Sequence, residues 1–178
     1  MLTEQEVNKI ISWLPYRDSW TVDRNKVDDN ILGYYGDLIN ELSNNNLFQT
    51  YYSQDGGLSN YLEFFCYPNG HDVYDDNAIA VYVNLCAPIA AYGQIRFTKT
   101  TNSWGWGFIE PETIGLVPDT KLINIENEII RILKKYDLNL LDKEFACKTL
   151  SNEIIEALKG ENHNEGTQYL HGLFQVTD

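Results

Sequence analysis

Basic residues are missing from a long stretch of this sequence. No lysine or arginine lies between Lys26 and Arg96, and the whole chain has 13 basic residues against 26 aspartates and glutamates. Nucleic acids and anionic membranes are bound through lysine and arginine, so the composition argues against both as partners. A basic protein fits better, because complementary charge speeds and orients encounter. An acidic surface that only keeps the protein soluble is the simpler alternative.

The same stretch is rich in carboxylates that have no basic neighbour along the chain. They are Asp28, Asp29, Asp37, Glu41, Asp55, Glu63, Asp72, Asp75 and Asp76. Among them, we predict that Asp55, Asp72, Asp75 and Asp76 contact a partner.

Long apolar runs are missing too. No segment approaches the roughly 18 consecutive apolar residues of a membrane-spanning helix, and the first ten residues, MLTEQEVNKI, do not have the pattern of a signal peptide. Cys66, Cys86 and Cys147 are widely spaced, and the first two lie in predicted strands, where reduced thiols pack as small apolar groups. These features predict a cytoplasmic protein with a single domain, 1–178.

Motifs of catalysis and metal binding are also absent from the sequence. It has no G-x-S-x-G elbow, no phosphate-binding loop and no Cys-x-x-Cys or His-Glu-x-x-His pair. His71 lies close to Asp72, Asp75 and Asp76, but their spacing does not follow the calcium loop of an EF-hand, and a solvated acidic loop is the simpler interpretation. We therefore expect no catalytic residue, no metal and no cofactor.

What the sequence does contain is a succession of strands. Four segments have apolar, β-branched or aromatic patterns: YLEFFCY (61–67), AIAVYVNLC (78–86), AAYGQIRFT (91–98) and WGWGFI (104–109). Residues 47–53 form a fifth candidate. The links between the four are rich in turn-forming residues and too short for parallel crossovers, which favours antiparallel pairing.

Helices are predicted on both sides of this strand region. Thr3 and Glu6 have the spacing of a capping box at the start of the first helix. An apolar stripe on a second helix is formed by Ile31, Tyr35, Leu38 and Leu42. A third helix is predicted to bury Ile125, Ile129, Ile132, Leu133 and Tyr136. The predicted fold class is α+β, with an antiparallel meander sheet of about five strands and helices packed on one face.

Aromatic residues suggest two opposite interpretations of the last strand. Trp104 and Trp106 share one face, which either fills the core or forms an exposed platform with Tyr52, Tyr82 and Tyr92. As an alternative function, a pocket around Trp104 and Trp106, lined by Tyr82 and Tyr92, would serve a small-ligand-binding protein or an enzyme, with His71 and nearby carboxylates in acid–base roles. Exposed aromatic strands also form homodimers, a third interpretation.

Two segments of the chain resemble immunity proteins of bacterial polymorphic toxin systems. They are AIAVYVNLCAPIAAYG (78–93) and TQYLHGLF (167–174), with the acidic Asp178 beyond. The resemblance implies a small acidic protein without catalytic activity that binds and occludes a cognate protein toxin. The charge distribution independently favours a basic partner of this kind.

Overall fold

The computed structural model describes residues 3–13, 35–53, 61–71, 77–85, 87–99, 101, 104–159 and 166–174. The strands described are β1 (Phe48–Ser53), β2 (Tyr61–Pro68), β3 (Asn77–Asn84), β4 (Ile89–Lys99), β5 (Trp104–Trp106) and β6 (Asn139–Leu140). The helices are α1 (Glu4–Trp13), α2 (35–43), α3 (Ile123–Lys135), α4 (Lys143–Ala146), α5 (Asn152–Lys159) and α6 (Tyr169–Leu173). Within these ranges, no helix combines the length and the apolar character that crossing a bilayer requires.

The sheet is an open antiparallel meander. Strands β1 to β5 lie side by side in chain order, each antiparallel to the next, which confirms the predicted α+β class and strand arrangement. The short β6 adds to β4 in parallel. Across the middle of the sheet, Phe65 lies opposite Ala80, and Ala80 lies opposite Gly93.

The helices cover both faces of this sheet, whereas the sequence predicted them on one. α2 and α3 pack on the face that contains Phe64 and Val81. α1, α4, α5 and α6 pack on the face that contains Phe65 and Tyr82. The reason lies in β3, where Ile79, Val81 and Val83 alternate with Ala78, Ala80 and Tyr82, and all six are completely buried. A strand that is apolar on both sides needs cover on both sides.

The longest helices form for reasons visible in the sequence. The capping box at α1 is confirmed, because the Glu6 N–H donates to Thr3 Oγ1 at 3.3 Å and the Thr3 N–H donates to Glu6 Oε2 at 2.7 Å. In α3, Lys134 and Lys135 lie in the last turn, where they suit the helix dipole. Four of the predicted apolar positions of α3, namely Ile125, Ile129, Ile132 and Leu133, are buried against the sheet. The fifth, Tyr136, lies just beyond the helix and is half-buried, and Ile31 of the predicted second helix lies outside the described residues.

Three short segments cover the outer edge of β4 in succession. β6 pairs at Ile89–Ala90 and β5 pairs at 97–99. Between them, the Gly115 N–H donates to the Tyr92 carbonyl at 2.8 Å and the Gln94 N–H donates to the Leu116 carbonyl at 3.0 Å. This 114–117 segment is thereby fixed to β4 on both sides of Gly93.

The segment 166–174 is held in the core by β3. Asn84 is completely buried, and its side-chain amide donates to the Leu173 carbonyl at 2.6 Å. The same side chain accepts from the Ala87 N–H at 3.0 Å. Tyr169 of α6 also contacts α1, where its hydroxyl group hydrogen-bonds to Asn8. The segment therefore packs on the body of the fold through both β3 and α1.

Candidate functional site

Most of the aromatic residues predicted at a partner surface lie in or against the core. Tyr82 is completely buried, and its hydroxyl oxygen accepts from the Ile109 N–H at 3.2 Å. Tyr52 is half-buried and stacks on Phe64, with ring centroids 4.8 Å apart. Trp106 is half-buried and stacks on Phe65, with ring centroids 5.3 Å apart. The backbone of Trp104 lies in β5, and its side chain falls outside the described part of the chain.

Tyr92 is buried on the opposite face of the sheet from Tyr82. It belongs to the core under α2 and α3, whereas Tyr82 belongs to the core under the other helices. The Tyr92 hydroxyl donates to Glu126 Oε1 at 3.2 Å, and burial together with that carboxylate raises the pKa of Tyr92 to about 12. Two corrections follow: neither tyrosine is an exposed partner contact, and the two do not line one pocket with Trp106.

The predicted acidic contacts fall outside the described residues. Asp55 belongs to residues 54–60, and Asp72, Asp75 and Asp76 belong to residues 72–76. Their role at a partner surface therefore stays a prediction.

The candidate site is a groove between α2 and the end of α3, because charged and amide side chains line it. Its volume is about 600 Å³, within the range of roughly 300–1,000 Å³ that is usual for ligand sites. Its lining includes four asparagines in addition to charged side chains. The lining residues are Asp37, Asn40, Glu41, Asn44, Asn45, Asn46, Leu47, Glu128, Lys135 and Tyr136.

One wall of the groove is built by the corner between α2 and β1. The Leu47 N–H donates to Asn45 Oδ1 at 2.9 Å, a local bond that lets asparagine turn the chain. The hydroxyl of Thr50 donates to the Leu42 carbonyl at 2.7 Å, and the side-chain amide of Asn69 donates to the Asn46 carbonyl at 2.7 Å. The wall is thus held from the helix, from the strand and from the neighbouring turn.

An ion-pair cluster joins α2 to α3 at the groove. Glu41 binds Arg131 at 2.8 Å and Lys135 at 2.5 Å, and it accepts from the Tyr136 hydroxyl at 3.0 Å. Arg131 also binds Glu128 at 2.8 Å. The Asn45 side-chain amide donates to Glu128 at 3.1 Å. The carboxylates of Glu41 and Glu128 are therefore already occupied by groups of the protein itself.

The cluster changes the acidity of its members. The Lys135 ammonium, followed by the Arg131 guanidinium, lowers the pKa of Glu41 to about 2. Arg131 likewise lowers the pKa of Glu128. Both carboxylates stay ionised throughout the physiological pH range. The three carboxylates Asp37, Glu41 and Glu128 and the two cations leave the site with one net negative charge.

Glu41→Gln is expected to lower stability slightly at neutral pH and to have less effect in acid. The folded-state pKa of Glu41 lies below its ordinary value of 4.5, so its contribution is complete above about pH 5 and disappears as the pH falls toward 2. Both cations are more than half exposed, with side-chain values of 53% and 54%. We therefore expect a decrease in the urea midpoint of at most about 0.5 M at pH 7.

Urea titrations of both proteins between pH 3 and pH 7 would measure this difference. The exposed Glu153 of α5 provides the control as Glu153→Gln, which removes one carboxylate without touching the ion-pair cluster. A gap between wild type and Glu41→Gln that stayed constant down to pH 3 would contradict the assignment.

The groove was not predicted as a site from the sequence. The run Asn44–Asn45–Asn46 serves to end α2, which is a common role for asparagine, and nothing in it indicates a wall facing α3. The spacing of Asp37, Glu41 and Asn44 at helical intervals was the available signal, because it places all three on one side of α2. Comparison with protein-family models, curated proteins and solved structures finds no match.

Proposed function

We propose that this protein is a non-catalytic binding protein that docks on a basic protein partner through the groove between α2 and α3, and that the partner is a toxin which it occludes. The observation that carries the proposal is the state of the carboxylates in the groove. Glu41 and Glu128 are occupied, whereas Asp37 is exposed and makes no ion pair among the described residues. Asp37 is therefore available to a cation supplied from outside.

Long-range charge supports the same partner. The chain carries a formal net charge of −13, and α2 lies within the stretch that lacks lysine and arginine. Such a field accelerates encounter with a basic protein and weakens with ionic strength. The identification of this basic partner as a toxin is supported by the resemblance of residues 78–93 and 167–174 to immunity proteins.

Contacts within the protein itself also join the two helices that flank the groove. Hydrogen bonds from Arg131, Lys135 and Tyr136 to Glu41 connect α2 to α3 before any partner binds. A site that is already ordered loses less conformational entropy on binding.

The first test is co-expression with the product of the neighbouring open reading frame, followed by co-purification on a tag. We expect a complex that dissociates in high salt and protects cells from the toxicity of that product. If no complex forms and the neighbouring product is harmless, the toxin assignment is rejected.

Asp37→Lys tests where the partner docks. We expect the association rate at low salt to fall by roughly tenfold or more, because an attractive charge becomes a repulsive one. The control is Glu153→Lys, which makes the same change of charge on α5, a helix packed on the opposite face of the sheet. Stopped-flow association at several salt concentrations measures both. Equal slowing by the two variants would show that total charge matters and the groove does not.

A further inference from the structure

Several side-chain amides of the groove have hydrogen-bonding groups left over. Asn40 and Asn44 lie one turn apart on α2, where residues four apart are neighbours. The Asn44 amide donates to Asn40 Oδ1 at 2.7 Å and to the Asn40 carbonyl at 3.2 Å. This arrangement leaves the Asn40 NH₂ group as a donor and Asn44 Oδ1 as an acceptor. The exposed Asn46 side chain makes no hydrogen bond among the described residues.

An asparagine side chain offers the same groups as a peptide unit, one carbonyl oxygen and an N–H donor. A row of such amides therefore matches a partner backbone whose own N–H and C=O groups are open. An α-helix pairs these groups internally except at its ends, so it cannot use the row. An extended segment exposes them along its length.

The charges of the groove place a second requirement on the partner, which must supply a cation. Glu41 and Glu128 are occupied by Arg131 and Lys135, so Asp37 is the groove carboxylate left to attract a cation. Leu47, which also lines the groove, is 56% exposed and offers apolar surface to a partner.

We infer that the partner enters this groove with an extended segment, whose backbone is bound by Asn40, Asn44 and Asn46 and which presents an arginine or lysine to Asp37. The inference rests on the proposed docking of a basic protein at this site. Asp37 and Asn44 are separated by about 10 Å along the helix axis, from a rise of 1.5 Å per residue. An extended chain covers that distance in about three residues. The cation therefore belongs about three positions from the residue that contacts Asn44.

The probe is an acetylated and amidated heptapeptide of alanine and serine with one central arginine. Titration into ¹⁵N-labelled protein would be followed through the side-chain NH₂ signals of Asn40, Asn44 and Asn46. We expect these signals to shift, with weak affinity. Methylation of the peptide's backbone nitrogens should weaken binding about threefold to tenfold, because each lost hydrogen bond has a modest net effect. Asn44→Ala should weaken it to a similar degree, whereas Asn127→Ala, an exposed position of α3 outside the groove, should not.

The other outcomes distinguish a failure of the extended segment from a failure of the proposed docking of a basic protein. If the methylated peptide binds equally well, or if N-acetyl-arginine amide alone shifts the same signals with the same affinity, the extended segment is overturned and docking of a cation survives. If the peptide with glutamate in place of arginine binds as tightly, the charge basis of the proposed function fails. If no peptide shifts the groove signals at millimolar concentration, the inference is rejected, while co-purification still decides the proposed function.

Discussion

Gly93→Ala is expected to lower the free energy of unfolding by about 3 kcal/mol, because the added methyl group has no space. A Cβ atom at this position would lie 2.9 Å from the Thr113 carbonyl oxygen and 2.9 Å from Ile109 Cγ2. The first of these is a backbone atom in a segment that cannot easily move away. Gly115 and Leu116 hydrogen-bond to β4 beside Gly93, so retreat of the segment would break these bonds as well.

Gly105→Ala is the matched control, since Gly105 is also a strand glycine. A Cβ atom there meets nothing within 4 Å, and its backbone is not in a left-handed conformation. We expect no loss, or a gain of a few tenths of a kcal/mol from reduced freedom of the unfolded chain. Urea unfolding of the three proteins measures both effects. Equal stability of the two variants would show that the close approach at Gly93 has no energetic consequence.

Asn84→Ala is expected to lower the free energy of unfolding by about 3–5 kcal/mol. The substitution leaves the Leu173 carbonyl and the Ala87 N–H without their side-chain partner in a buried environment. Each buried polar group that loses its partner costs about 1–3 kcal/mol, and the missing amide volume adds to this.

Asn84→Ala should destabilise α6 locally in addition to lowering the global free energy of unfolding. We expect faster hydrogen exchange at the amides of Gly172 and Phe174, whose acceptors are the carbonyls of Gln168 and Leu170. Asn139→Ala is the control. Asn139 also donates through its side chain to a carbonyl, that of Pro88, but it does so at the surface and should cost less than about 1 kcal/mol. If Asn139→Ala cost as much as Asn84→Ala, burial would not be the reason for the effect.

The fold was predictable wherever one short segment determined its own structure. The alternation in β2 and β3, the capping box at Thr3 and the apolar stripe of α3 each depend on residues close together in sequence. The two-sided cover of the sheet was not predictable in this way. Alanine on one face of β3 is compatible with either water or a helix, and the packing of the distant helices α1, α4, α5 and α6 decides which.

The candidate site was less predictable because its contacts are long-range. Glu41 meets Lys135 across 94 residues, and Asn45 meets Glu128 across 83. Neither pair leaves a local pattern in the sequence. Exposed tyrosines were predicted from their number, but Tyr82 and Tyr92 lie in strands that are covered on both faces. Tyr51, which was not singled out, is 45% exposed on β1.

The contact between α1 and α6 has a consequence for synthesis in the cell. Tyr169 reaches Glu4 and Asn8 across more than 160 positions, so the cover of this face of the sheet is complete only after α6 has been translated. Until then, the rings of Tyr61 and Phe108 lack their contacts with Phe174 and His171. A chain that ends before Phe174 would leave apolar surface of the sheet exposed. Such surface promotes aggregation and makes the incomplete chain a substrate for chaperones and proteases.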